Sequence, residues 1–166
     1  MAESNANDAD EFIRKSQFVQ ASRAFTAAAD IRPDNAEYAF NAAMALARAP
    51  QVPPTELRGL LDRTLAANPM SPRYYRIRAE FRLQLSPPDA RAVRDDFEHA
   101  LQIDPNSVDM RLEYADALAN LHEPAEAVRQ YERALWFNDQ LSPDEPKRLS
   151  EKRLADIHDK IARLRQ

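Results

Sequence analysis

The chain has 166 residues, of which 44% are hydrophobic and 30% are charged, and this is enough apolar material for one domain or one repeat array. A single glycine and no cysteine argue against a strand-and-turn protein, a glycine-rich phosphate loop, disulfides and thiolate chemistry. Twelve prolines among abundant alanine, arginine, leucine and glutamate indicate an all-α protein whose prolines fall mostly between helices.

Charge and hydropathy limit the classes of partner. The formal net charge is −4, with an acidic stretch over residues 105–140 followed by a mildly basic one over residues 141–166. This is not the basic stripe of a nucleic-acid-binding protein, so nucleic acid is not expected as the main partner. The N-terminal stretch MAESNANDADE lacks the apolar centre of a signal peptide, and no apolar run is long enough to span a membrane. The sequence therefore predicts a cytoplasmic protein without a membrane span.

Three segments of the chain align without gaps. They are IRPDNAEYAFNAAMAL, ANPMSPRYYRIRAEFRL and IDPNSVDMRLEYADAL, and their prolines Pro33, Pro69 and Pro105 are 36 residues apart. Two residues after each proline stands a residue type that caps helix N-termini well, and ten residues after it stands an alanine that allows close helix crossing. These residues are Asn35, Ser71 and Ser107, then Ala43, Ala79 and Ala115.

A second pattern precedes Pro33, Pro69, Pro105 and Asp139. Small and large apolar residues recur twelve, eight, five and four positions before these anchors, with one threonine among them, which predicts a second amphipathic helix in each of four units. In that order the sets are Ala21, Leu57, Val93 and Ala127; Phe25, Leu61, Phe97 and Tyr131; Ala28, Thr64, Ala100 and Ala134; and Ala29, Leu65, Leu101 and Leu135.

These residues resemble the tetratricopeptide repeat (TPR) family, whose pattern is W-x₂-L-G-x₂-Y, then A-x₃-F, then P. The fourth unit matches best, with Arg111, Tyr114, Ala115, Leu118, Ala127, Tyr131 and Asp139 at the pattern positions. The resemblance covers roughly residues 4–140 and implies a right-handed α-solenoid of about four helix-turn-helix repeats. We expect these repeats over residues 2–35, 36–71, 72–107 and 108–141, with residues 142–166 as a C-terminal capping helix.

The first helix of the third unit departs from the pattern. Arg78 and Arg82 occupy positions that are apolar in the other units. A shift of one residue, with Tyr74, Ile77 and Phe81 facing inward, would restore an apolar face. Both registers stay open from the sequence.

The turns of the second and third units are two residues longer than the others and carry the double prolines Pro53-Pro54 and Pro87-Pro88. These prolines end the first helix and preset the second. The turns are either stiffened loops for recognition or tolerated insertions.

The tail after residue 141 breaks the repeat period. Ser142 or Asp144 is expected to cap a helix that runs to about Arg165. Its apolar stripe, Leu154, Ile157, Ile161 and Leu164, is expected to cover the end of the array by packing on Tyr131, Leu135 and Trp136. An amphipathic helix for a partner or a membrane surface is the alternative.

The sequence lacks a catalytic constellation. His99, His122 and His158 have no second ligand at metal-binding spacing, and the carboxylates Asp95, Asp96 and Glu98 are expected to form a solvated face. No glycine-flanked serine and no phosphate loop appears. We therefore expect a protein that is not an enzyme and binds no cofactor or metal.

The TPR resemblance implies that the first helices line a concave groove for a peptide or a partner helix. Phe40, Met44 and Leu112 would be apolar anchors there, or would pack on adjacent helices instead. Arg73 and Arg76 would hold a carboxylate, unless Arg76 forms a helical pair with Glu80. The candidate partner-binding residues are Glu37, Phe40, Asn41, Met44, Arg48, Arg73, Arg76, Glu80, Asp109, Leu112, Asp116 and Asn120.

One family function is disfavoured. Repeats that clamp the carboxyl terminus of chaperones use five Lys, Asn and Arg residues, of which only Asn41 and Arg73 are present here. Ala6, Asp10 and Ile77 stand at the other positions. The leading hypothesis is a non-catalytic adaptor that binds a protein or peptide segment in the groove. The alternative is a self-associating scaffold module, or a regulatory fragment of a larger protein, suggested by the imperfect first repeat and by Trp136.

Overall fold

The computed structural model describes residues 1–51 and 53–166, so Val52, in the long turn of the second sequence repeat, lies outside the described residues. Within them the chain forms nine α-helices and no strand, which confirms the all-α prediction. The helices are α1 (Ala2–Arg14), α2 (Phe18–Ile31), α3 (Ala36–Leu46), α4 (Pro54–Ala67), α5 (Pro72–Leu83), α6 (Ala90–Ile103), α7 (Val108–Asn120), α8 (Pro124–Asp139) and α9 (Glu151–Leu164). They fall into two compact units, Met1–Tyr74 and Tyr75–Gln166. We call these two the first unit and the second unit of the structure, as distinct from the sequence repeats.

Local sequence signals explain where the helices begin. The side chain of Asn35 accepts a hydrogen bond from the Glu37 amide at 3.1 Å, and that of Ser107 accepts from the Met110 amide at 3.4 Å. Both contacts satisfy N–H groups that have no partner in the first helical turn. Proline begins α4, α5 and α8, where its missing N–H costs nothing.

In the first unit, α2 packs on α1 and α3, and α3 packs on α4. The residues of the repeated pattern form its core: Phe25, Leu61 and Ala43 are at most 4% exposed. Thr64, at a position that is alanine elsewhere, is fully buried and donates its hydroxyl to the Leu60 carbonyl at 2.8 Å. A polar residue is tolerated there because its hydrogen bond is satisfied within the helix.

In the second unit, α7 packs on α6 and α8, and α8 packs on α9. Phe97 stacks on Tyr114 with ring centroids 5.1 Å apart, and both rings are at most 2% exposed. Ala79 and Ala115 are fully buried, as expected for close helix crossings. Burial of a side chain of the size of Phe97 contributes about 1.5–3 kcal/mol, so the recurrent apolar set holds the unit together.

In α5 the Arg78 and Arg82 side chains face α6 and form a buried charge cluster there, as in the unshifted register. Tyr74, which the shifted register places inward, is buried as well, whereas Ile77 and Phe81 are only partly buried. Arg78 and Arg82 each donate to Asp96 of α6, from Nη2 and Nη1 respectively, at 2.6 Å. Asp96 is only 1% exposed. The expectation that Asp96 lies on a solvated face is wrong. Arg78 and Arg82 occupy core positions, and the buried Asp96 carboxylate forms ion pairs with both of them.

The C-terminal helix starts later than expected. Its N-cap is Ser150, not Ser142 or Asp144, and residues 142–149 form turns. Pro146 disfavours helical backbone at the residue before it. Buried Asn138 accepts a hydrogen bond from the Leu149 amide at 2.7 Å, which holds the turn against α8.

The apolar stripe of α9 packs as expected. Ile157 and Ile161 are buried in the core of the second unit, and Leu154 and Leu164 pack against its edge. Trp136 does not join them, since it is 57% exposed. No helix of the described residues has the length and apolarity needed to cross a membrane.

Candidate functional site

An open cleft lies between α1 and α3 in the first unit. Asn41, Met44 and Arg48 stand at spacings of three and four along α3 and its C-terminal turn, so they share one face. Three of the twelve candidate residues therefore line this one cleft. The cleft has a volume of about 160 Å³ and is lined by Asp10, Ile13, Phe25, Asn41, Met44, Ala45 and Arg48.

The polar groups of this cleft are available to a ligand. Within the described residues the Asn41 amide has no hydrogen-bond partner, and Asp10 has no ion pair. Arg48 lies with its guanidinium carbon 4.3 Å from the centroid of the Phe18 ring, which fixes the cation without neutralising it. Phe25, 4% exposed, forms the floor. The cleft thus offers an apolar floor and wall beside one amide and two opposite charges.

Three other candidate residues of the first unit are engaged with one another. The Tyr74 hydroxyl donates to Glu37 Oε1 at 2.5 Å, and Arg73 Nη1 lies 3.8 Å from the same oxygen. The Arg73 guanidinium also covers the Phe40 ring at 4.3 Å. Phe40 is 3% exposed, so it packs on adjacent helices and is not an exposed anchor. Burial, followed by the hydrogen bond to Glu37, raises the pKa of Tyr74 to about 12.

In the second unit, Arg76 is held by two carboxylates. Its Nη1 lies 2.6 Å from Glu80 and 3.5 Å from Glu113. The Arg76–Glu80 helical pair is therefore the arrangement that forms. Burial raises the pKa of Glu113, and the positive charge of Arg76 partly offsets this rise. A partner carboxylate at Arg76 would have to displace one of these two.

The candidate residues of α7 contact α9. Arg153 Nη2 lies 2.9 Å from Asp109 Oδ1, and Lys160 Nζ lies 2.7 Å from Asp116 Oδ1, which also accepts from the Tyr131 hydroxyl. Leu112, between the two acids, is 6% exposed and packs in the core, so it is not an exposed anchor. The C-terminal helix therefore occupies the face of α7 that was expected to meet a partner.

A sequence signal for this pairing exists and was missed. Asp109 and Asp116 are seven residues apart on α7, and Arg153 and Lys160 are seven residues apart on α9. Residues at this spacing share a face of a helix, so two matched pairs predict that the two faces meet.

A second open cleft remains beside these ion pairs. Asn120 lines this cleft and is exposed, and Asp116 lines it beside its ion pair with Lys160. The cleft has a volume of about 290 Å³ and is lined by Asp116, Ala119, Asn120, Tyr131, Lys160, Arg163 and Leu164. Among the described residues no group of three or more histidine and carboxylate side chains is placed to hold a metal ion.

Comparison with known proteins identifies the fold. No family model matches the sequence, and no curated protein matches it. A crystal structure of the MamA protein matches with a TM-score of 0.74 and 14% identity, over 98% of this chain and 80% of that one. A second MamA structure matches with a TM-score of 0.71 and 15% identity, over 94% and 81%. The MamA RS-1 ArsTM double mutant matches with a TM-score of 0.69 and 14% identity, over 99% and 94%.

These likenesses show that the chain has the all-helical, TPR-like fold of MamA. The fold expected from the repeated residues is thereby confirmed.

Proposed function

We propose that the chain is a non-catalytic interaction module that binds an extended segment of a partner protein in the α1–α3 cleft. The observation that carries the proposal is that Asn41, Met44 and Arg48 line an open cleft, whereas the other candidate residues, apart from Asn120, are buried or engaged within the protein.

The chemistry of the cleft favours a peptide. An apolar side chain of the partner would rest against Ile13, Met44 and Ala45. The Asn41 amide both donates and accepts, and so can bond to the N–H and C=O groups of an extended backbone. Asp10 would attract a cationic group of the partner, and Arg48 would attract an anionic one. One apolar anchor and one amide give a modest affinity, as suits an adaptor.

A binding experiment with defined ligands tests the proposal. Peptides are selected from a random displayed library on the immobilised chain, and the dissociation constant of the best one is measured by fluorescence anisotropy. Met44→Glu and Asn41→Ala should each weaken binding, the first by tenfold or more, which is about 1.4 kcal/mol. Arg58→Ala, on the exposed face of α4, is the control and should leave binding unchanged. Equal affinity of Met44→Glu and the unmodified chain would overturn the proposal.

A further inference from the structure

The outer face of α8 carries a second surface that the proposed groove does not use. Arg129, Arg133 and Trp136 stand at spacings of four and three along the helix and so form one stripe. A shallow depression of about 440 Å³ lies here, lined by Glu126, Arg129, Gln130, Glu132, Arg133 and Trp136. We refer to these six residues as the α8 surface.

Trp136 is a large apolar side chain that is mostly exposed. It is 57% exposed, and its ring meets Phe137 edge-on with centroids 4.8 Å apart. The equivalent positions of the first three units, three residues before the anchors, are Asp30, Ala66 and Gln102, which are all exposed. The fourth unit therefore places a large apolar ring where the other units place small or polar residues.

The α8 surface, together with the Arg165 side chain that pairs with Glu132, carries two carboxylates and three guanidiniums. Glu126 and Glu132 are paired with Arg129 and Arg165 respectively. Arg133 is exposed and forms no ion pair within 4 Å among the described residues, although its charge, after the hydrogen bond from Arg129, contributes to the lowered pKa of Glu126.

A second guanidinium nearby also lacks a carboxylate. Arg111 is 6% exposed and donates to the Pro105 carbonyl at 2.7 Å and to Gln130 Oε1 at 3.3 Å, both of them neutral acceptors. Burial, and then the charge of Arg133, lowers the pKa of Arg111. With Arg111 and Arg165 included, the α8 surface has four guanidiniums and two carboxylates, on a chain that is acidic overall.

The polar groups of the surface are preorganised. Gln130 accepts from Arg111 and donates from Nε2 to Glu126 Oε1 at 3.0 Å, so its amide is fixed between the two. The hydrogen bonds of Arg129 to Glu126 hold that side chain along the helix. Among the described residues of this surface, Arg133 is the cation without an ion pair and Trp136 is the exposed aromatic ring.

We infer that the α8 surface binds an acidic segment of a partner protein, with an apolar side chain against Trp136 and a carboxylate at Arg133. Tryptophan and arginine side by side are the residue types that dominate binding energy at protein interfaces. A guanidinium receives a carboxylate through two parallel hydrogen bonds. A polyanion such as nucleic acid fits less well, because among the described residues of this surface Arg133 is the one cation without an ion pair, whereas a polyanion is bound by a run of several cations.

Trp136 is the single tryptophan of the chain, so its fluorescence reports on this surface alone. The probes are the peptides acetyl-Asp-Glu-X-Asp-Glu-amide, with X phenylalanine, leucine or alanine. We expect a saturable change of Trp136 emission with the phenylalanine and leucine peptides, at least fivefold weaker binding of the alanine peptide, and weaker binding in high salt. The absence of a saturable change with the phenylalanine and leucine peptides would overturn the inference.

Two charge reversals separate a specific site from general electrostatics. Arg133→Glu should weaken binding of the phenylalanine peptide tenfold or more, while Arg58→Glu, with the same change of net charge on the exposed face of α4, should not. Equal weakening by both variants would overturn the inference. So would a Trp136 emission that changes with protein concentration as the chain dimerises, since the occupant would then be a second copy. Met44→Glu should leave this binding unchanged, which separates it from the proposed groove.

Discussion

Arg82 donates from Nη1 to Oδ2 of Asp96 across 2.6 Å, and the carboxylate that accepts is only 1% exposed. In the second repeat of the sequence the positions 36 residues earlier are Leu46 and Leu60, both buried. The third repeat thus has a buried charged contact where the second repeat has two buried leucines. Such a pair does not stabilise more than apolar packing would, but it is costly to break once it is buried.

Asp96→Ala should lower the free energy of unfolding by about 3–5 kcal/mol, because two guanidiniums lose a buried counter-charge. Urea denaturation followed by circular dichroism measures the change. Asp95→Ala is the matched control, since Asp95 is exposed and its contact with Arg91 is 4.0 Å long at the surface. That variant should change stability by less than about 0.5 kcal/mol. Similar losses for both variants would refute the role assigned to Asp96.

The C-terminal helix should be held by its apolar stripe and not by its ion pairs. Ile157 is 4% exposed, and Ile157→Ala should cost about 2–5 kcal/mol. The Lys160 and Asp116 side chains are 35% and 48% exposed, and Lys160→Ala should cost less than about 1 kcal/mol. Thermal and urea unfolding of both variants make the comparison. A larger loss for Lys160→Ala would contradict this order.

Gly59→Ala should stabilise the chain by about 0.5–1 kcal/mol. Gly59 lies within α4, and a Cβ added there would meet nothing within 4 Å. Alanine restricts the unfolded chain and suits helical backbone better than glycine. The unfolding midpoint in urea should rise, and the reverse change Ala66→Gly on the same helix should lower it. A lower midpoint for Gly59→Ala would show that its surroundings are not open.

Stability should fall as the pH rises above about 10. Burial, aided by neighbouring carboxylates, raises the pKa of Tyr74 to about 12 and raises the pKa of Tyr114 and Tyr131 as well. Their protons are therefore held more tightly in the folded chain than in the unfolded one. The stabilisation is complete below the unfolded pKa near 10 and is lost as the pH rises through the folded values.

Unfolding at a series of pH values between 9 and 12, with tyrosinate absorbance followed in parallel, measures this effect. In Tyr74→Phe the loss of stability between pH 10 and 12 should be smaller than in the unmodified chain. An identical pH dependence of the two proteins would contradict the assignment to Tyr74.

The core was predictable from the sequence because apolar and small residues recur at fixed distances from the anchors. Phe25, Leu61, Phe97 and Tyr131 are all buried, since a fixed period on a helix places them on one face. The pairing of Asp96 was not predictable from composition, because its partners lie on another helix.

The candidate groove was harder to predict than the core. Periodicity gives the face of a helix but not what covers it, so it left open whether Phe40 and Leu112 are exposed. Arg73 covers the Phe40 ring. Leu112 packs in the core, and the acidic residues on either side of it form ion pairs with α9. Asn41 and Met44, which share one face of α3, line an open cleft instead.

The most direct test of the proposed function is a map of where the selected peptide binds. Backbone amide chemical shifts are followed by NMR as the peptide is titrated into the chain. We expect saturable shifts at Asp10, Ile13, Asn41 and Met44, with the same dissociation constant as in anisotropy, and we expect these shifts to be lost in Met44→Glu. Shifts confined to the outer faces of α2 and α4, around Arg23 and Arg58, would contradict it.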